Sequence, residues 1–328
     1  MRIAIVRLSA MGDIIQSMIV LQFIKEHSPD SSIDWFVDRK FSDILEGAKH
    51  VDNIFPLQLK GLRLREVPFK LIKLYKFIKS KGKYDLVIDL QGLIKSGLVS
   101  KFISTNKRIG FNSRSSRESL SAIFYSQSYD VPYEENVIQR YVSLIEQCFE
   151  IKVPTNKIID KESFFFSEKQ NNPSQNNYAV FFIGASFQSK IYPIEKFADV
   201  SNSLSIDIVI VWNSRKEKIL AERLKKLSPK VNVSRKLNFE ELKDLVSRAT
   251  VVLGGDTGPT HLAWGMNVPS VTLFGATPMN RNFFPTKINL AVDSGVVVNP
   301  NKINKTHSSI RNIPSQDIVN LLNKIITQ

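Results

Sequence analysis

Residues 251–275, VVLGGDTGPTHLAWGMNVPSVTLFG, decide the fold. Val251, Val252 and Leu253 form an apolar run that stops at Gly254 and Gly255, and a second buried strand closes the stretch, so a strand–helix–strand unit is expected. Asp256 and Thr257 offer side-chain oxygens as helix N-caps, and Gly258 and Pro259 fit the first turn. A strand ending on glycine lets backbone approach a ligand closely. Free N–H groups at the positive end of the helix dipole then stabilise phosphate oxygens. His261, one turn in, adds a donor. The unit suits a diphosphate; the plainer alternative is an ordinary βαβ turn.

Outward from this unit, strand and helix signals alternate. In the first half they are strand 3–6, helix 14–26, strand 33–37, a basic helix within 60–83 and strand 86–89. After a helix over 136–149, a polar stretch with Pro154 and Pro173 marks a domain junction. A second series follows: strand 178–183, helix 193–204, strand 206–212, helix 216–227, strand 231–233 and helix 239–248. This is doubly wound α/β grammar. We expect two Rossmann-like domains facing a central cleft, residues 1–155 and 178–328, joined by a linker over 156–177. The last amphipathic helix, 315–326, is expected to return to the first domain.

The 328 residues, 43% of them hydrophobic, suffice for two cores. The chain opens on strand-like RIAIVRL without a signal-peptide pattern, and no apolar run approaches about 18 residues, so a cytoplasmic location is expected. Cys148 is the single cysteine, and the four histidines lack metal-ligand spacing. The formal net charge of +14 favours anionic partners. It is concentrated in residues 60–83, where Leu71, Leu74, Tyr75 and Ile78 share one helical face and Lys70, Lys73, Lys76 and Lys79 sweep the other. That pattern reads either as membrane-surface contact or as a helix packed on its own sheet.

Ligands of open α/β sheets sit beyond the carboxyl ends of the strands. After the first strand comes RLSAMGDIIQ, where Asp13 is either an N-cap or a general base. No GxGxxG occupies this turn, which argues against a nicotinamide dehydrogenase. After strand 178–183 come Gly184, Ser186 and Ser189 and then Lys190, a point charge for a diphosphate or a solvated loop lysine. After strand 206–212 stands Glu217, which meets a ribose hydroxyl or favours the helix dipole. No RNA-binding module or stacking aromatic motif is present, so no nucleic-acid partner is expected.

Taken in order, RLSAMGDIIQ, DLQGLIKSGLVS, SSRESL and GGDTGPTHLAWGMNVPSVTLFGATP resemble the ADP-heptose:lipopolysaccharide heptosyltransferases of glycosyltransferase family 9, along nearly the whole chain. The resemblance implies the GT-B fold and an inverting transfer of L-glycero-D-manno-heptose from ADP-heptose. It makes Asp13 the catalytic base. It assigns the donor to Ser186, Lys190, Glu217, Asp256, Thr257, Gly258 and His261, with Lys190 on the diphosphate, Glu217 on the ribose and Asp256 facing the heptose hydroxyls. The acceptor-side segments look like the subgroup acting on Kdo of Kdo2-lipid A, which implies acceptor contacts from Arg63, Arg65, Lys95, Arg117 and Arg140. Asn136 stands where that subgroup commonly has His. The same resemblance places the enzyme at the anionic cytoplasmic face of the inner membrane. No metal is expected to be essential, since no Asp-x-Asp motif is present; Mg2+ is expected at most to stimulate. A later core sugar as acceptor is the alternative.

Overall fold

Ile3, Ala4, Ile5 and Val6 are fully buried because the strand they form, β1 (Arg2–Val6), lies at the centre of a parallel sheet covered on both faces. The computed structural model describes residues 1–59, 67–166, 177–300 and 302–327. The chain divides into two units, Met1–Lys161 and Glu162–Gln328.

In the first unit β1 is followed by α1 (Met11–Ser17), α2 (Ile19–His27), β2 (Ser32–Asp38) and β3 (Asn53–Leu57). Next come α3 (Val67–Lys79), β4 (Leu86–Asp89), α4 (Ile94–Phe102), β5 (Lys107–Phe111) and β6 (Gln127–Tyr129). The unit ends in α5 (Val137–Phe149) and α6 (Thr155–Ile159). The one helix expected over 14–26 is two, meeting at Met18. The sheet order is β3-β2-β1-β4-β5-β6, every neighbouring pair parallel. Ala4, Val6, Phe36 and Val87 pack on one face against Ile78 of α3, Val99 of α4 and Ile103 just after it. Each such fully buried aliphatic contributes about 1.5–3 kcal/mol. The packing of α2 and α1 on α5 forms a second helical layer.

The second unit repeats the plan with β7 (Tyr178–Phe182), α7 (Ile194–Ser203), β8 (Asp207–Val211), α8 (Arg215–Leu227), β9 (Val231–Val233) and α9 (Phe239–Ser247). It continues with β10 (Val251–Gly255), α10 (Gly258–Gly265), β11 (Ser270–Phe274), α11 (Met279–Asn282), β12 (Asn289–Asp293) and α12 (Ser315–Ile326). Its order is β12-β11-β10-β7-β8-β9, again all parallel. Ile318, Val319 and Leu322 of α12 join the core of the second unit with Phe197, Val200, Val271 and Leu273. α6 lies at the start of the stretch read as linker, of which residues 167–176 lie outside the described residues.

Both sheets start in the middle, wind outward and restart beside the first strand. Each therefore has a topological switch point, between β1 and β4 and between β7 and β10, where an open α/β sheet leaves a crevice beyond the strand ends.

Candidate functional site

Lys190 leaves the 3₁₀ turn after β7, Asp256 follows β10, and the two meet across the switch point of the second sheet. Lys190 Nζ lies 2.7 Å from Asp256 Oδ2 and donates to the Asp256 carbonyl oxygen at 2.8 Å. His261 Nε2 is 3.0 Å from Asp256 Oδ1, and Asn282 Nδ2 donates to Oδ2 at 3.2 Å. An ionised carboxylate only accepts, so the facing histidine nitrogen carries the hydrogen. Burial opposes ionisation of Asp256, but the Lys190 charge and the His261 hydrogen bond outweigh it and hold the carboxyl far below the usual range. The close approach needs glycine, since a Cβ on Gly255 would sit 2.6 Å from the Lys190 carbonyl oxygen.

The expected caps of α10 do not form. Thr257 is the N-cap residue but makes no capping hydrogen bond; its hydroxyl lies 3.2 Å from that of Thr260. Both Asp256 oxygens are engaged in the cluster, because a buried carboxylate is satisfied better by charged donors than by one backbone N–H. Gly258 and Pro259 open the helix as expected.

Glu217 does two things where one was expected. Its Oε2 accepts from the backbone N–H groups of Asn213 (2.7 Å) and Ser214 (3.0 Å), closing a capping box with the Ser214 hydroxyl. Its other side packs on Gly184, directly after β7, where any Cβ would collide with the carboxylate. Oε1 is thereby aimed at the end of β7. Ser186 is exposed in the same loop.

In the first unit, Asp13 occupies the first turn of α1 beyond β1. Its Oδ1 lies 3.2 Å from an Arg7 guanidinium nitrogen and its Oδ2 accepts from the Ala10 N–H at 3.2 Å. Asp13 is thus a half-exposed carboxylate at the helix start. Arg7 is buried, and its Nη1 donates to the Leu90 carbonyl oxygen at 2.9 Å. Burial opposes its charge, while Tyr141, Asp13 and Asp89 outweigh burial and raise its pKa. The DLQGL segment serves this corner. Asp89, fully buried, accepts from Tyr125 Oη (2.8 Å) and the Gln91 N–H (2.8 Å), and Gln91 Oε1 accepts from the Leu8 N–H (2.7 Å).

The acceptor candidates separate. Arg63 and Arg65 lie outside the described residues. Lys95 is exposed on α4, 4.0 Å from Asp38, and Arg117 is exposed in the loop after β5. Arg140 is 5% exposed; it donates to the carbonyls of Ser115 (2.7 Å) and Tyr133 (3.3 Å), and its guanidinium lies over the Phe111 and Tyr133 rings. The enclosed guanidinium supports the loop after β5 from beneath, through the Ser115 carbonyl oxygen.

Sequence reading gave no role to Arg7 or Asn282. Arg7 stands directly beyond β1, the signal that would have found it, whereas Asn282 closes α11 and carries no such signal. Among the described residues no group of three His, Cys, Asp or Glu side chains could hold a metal ion.

The family model described as glycosyltransferase family 9 (heptosyltransferase) matches residues 72–309. Lipopolysaccharide heptosyltransferase 1 of Campylobacter coli is 35% identical, covering 99% of both chains. The protein of the same name from Escherichia coli K12 is 25% identical over 84% of this chain and 88% of its own. The fold matches that of the E. coli heptosyltransferase WaaC, solved with ADP, at a TM-score of 0.82 and 22% identity, covering 99% of this chain and 100% of that one.

Proposed function

The chain belongs to glycosyltransferase family 9, the heptosyltransferases, and from that premise we propose that it moves L-glycero-D-manno-heptose from ADP-heptose to a Kdo hydroxyl of Kdo2-lipid A, with inversion. In this reading the acceptor oxygen attacks the anomeric carbon as the bond to the diphosphate breaks. ADP departs with the electron pair, and Asp13 takes the hydroxyl proton. Such a base contributes about 10²–10⁴-fold. Lys190 and the N–H groups opening α10 stabilise the charge that grows on ADP. Glu217 receives the ribose, while Ser186, Thr257 and His261 complete the donor site. Lys95 and Arg117 receive the acidic acceptor.

The observation that carries the reading is the Lys190–Asp256–His261 cluster, which fixes a lysine ammonium at the β7/β10 switch point, where a nucleotide diphosphate binds in such sheets. Lys190 supplies the charge a divalent ion would, so transfer is proposed to continue in EDTA, with Mg2+ adding at most stimulation. The enzyme is proposed to work at the anionic cytoplasmic face of the inner membrane; among the described residues no helix is long and apolar enough to cross a membrane.

Transfer from ADP-heptose to Kdo2-lipid A, followed by mass, tests the reading. The expected result is one heptose added by the wild type and none by Asp13→Ala, which still binds ADP-heptose. Extension of an already heptosylated acceptor, with no addition to Kdo2-lipid A, would overturn it in favour of a later core sugar.

A further inference from the structure

The first unit carries a group of exposed apolar side chains on α3 and a neighbouring 3₁₀ turn. On α3, Leu74 and Ile78 face the sheet, while Phe69 is 74% and Ile72 53% exposed. At about 100° per residue, Phe69, Ile72, Lys73 and Lys76 fall on the side of α3 opposite Ile78. α4 lies beside α3, with Tyr75 packed edge-on against Phe102 at 5.3 Å. Beyond it the 3₁₀ turn Ser119–Phe124 is clamped to α4 by Phe124, whose ring leaves no room for a Cβ on Gly97. Residues three apart eclipse on a 3₁₀ helix, so Leu120 and Ile123 project together, 62% and 73% exposed.

Charge surrounds these side chains. Residues 67–83 hold six lysines and no acid, and Arg114 and Arg117 precede the 3₁₀ turn. Lysine is depleted from the cores of protein–protein interfaces, and two copies this basic repel each other. Isolated bulky apolar side chains set among lysines instead match a helix lying in the boundary between headgroups and acyl chains.

We infer that the outer face of α3 and the 3₁₀ turn Ser119–Phe124 docks on an anionic bilayer, with Phe69, Ile72, Leu120 and Ile123 entering the acyl boundary and Lys73 and Lys76 meeting lipid phosphates. This deepens the proposed lipid-linked acceptor by naming the surface that brings the enzyme to it.

Co-sedimentation of the full chain, without donor or acceptor, with vesicles of phosphatidylcholine or of equal parts phosphatidylcholine and phosphatidylglycerol tests this. Binding is expected only to the anionic vesicles and weaker in salt. Phe69→Ser/Ile72→Ser and Leu120→Ser/Ile123→Ser are each expected to lower the partition by about tenfold or more, and Lys73→Glu/Lys76→Glu by a similar factor. Thermal melts and ADP binding stay as in the wild type, since all these side chains are exposed. Equal binding to neutral vesicles, or apolar variants that bind as the wild type does, would overturn the inference. So would loss of a dimer in sedimentation velocity by the same variants, which would assign the face to a second copy. The acceptor reading is tested apart: heptose transfer with no vesicle binding sinks only the docking surface, and vesicle binding with no transfer to any acceptor sinks only the proposed reaction.

Discussion

The Lys190 ammonium touches both the side chain and the carbonyl oxygen of Asp256, at 2.7 and 2.8 Å, so a single cation closes the switch point between β7 and β10. Removing it leaves a buried carboxylate short of its cation. Lys190→Met is expected to cost about 3–5 kcal/mol in urea unfolding and to abolish measurable ADP binding by calorimetry. Lys190→Met/Asp256→Leu, which removes both charges, should recover most of the stability and none of the binding. Recovery of both would mean that Lys190 acts on the nucleotide only through Asp256.

The same pair sets an acid limit. The Asp256 carboxyl is held well below its value in the unfolded chain, about 3.9. Its stabilisation is therefore complete above that pH and is lost as pH falls toward the depressed folded value. Asp256→Asn should be less stable than the wild type at pH 7. It should also lose less stability between pH 4 and pH 2, both about as linkage to a single carboxylate requires. Parallel wild-type and mutant curves of unfolding free energy against pH would show that Asp256 is not the group responsible.

Gly184 and Ser214 separate the capping of α8 by Glu217 from its proposed contact with the ribose. Ser214→Ala removes one capping hydrogen bond and is expected to cost about 1 kcal/mol with ADP affinity unchanged. Gly184→Ala puts a methyl into the Glu217 carboxylate. Its expected signature is an ADP Kd raised about tenfold, the worth of one charge-assisted hydrogen bond, with a much smaller change in melting temperature. Equal affinity losses in the two variants would assign Glu217 to capping alone.

The doubly wound plan was legible because its central strands read as uninterrupted apolar runs, as 251–253 and 178–183 do. Three outer strands of the first sheet were not: β3 contains Pro56, β5 opens on Lys107 and Arg108, and β6 is the largely exposed QSY. Such pairing is fixed by register with a neighbour rather than by the segment's own pattern. At the site, residue type and position were readable, but partners were not. Nothing local in GGDTGPTH says that Asp256 is spent on a lysine 66 residues away rather than on capping α10. The partners of Arg140 were hidden for the same reason, because helical spacing does not show that its guanidinium lies over Phe111 and Tyr133.

Arg7 and Asp13 make the sharpest remaining test, because one is buried and fixed while the other is half-exposed. Arg7 is anchored to the Leu90 carbonyl oxygen and reaches Asp13 Oδ1 at 3.2 Å, so it fixes where the carboxylate stands without lying in the open itself. Asp13→Ala is expected to lower kcat by about 10²–10⁴-fold with ADP-heptose affinity retained. Arg7→Met keeps an unbranched apolar stem and removes the guanidinium anchor. Its expected effect is a smaller fall in kcat, about tenfold to a hundredfold, with the donor KM unchanged, and Arg7→Lys should recover part of the loss. In Asp13→Ala/Arg7→Met the second change should add almost nothing, since a positioning residue has no effect once the group it positions is gone. Multiplicative losses in the double variant would instead put Arg7 in contact with the substrate.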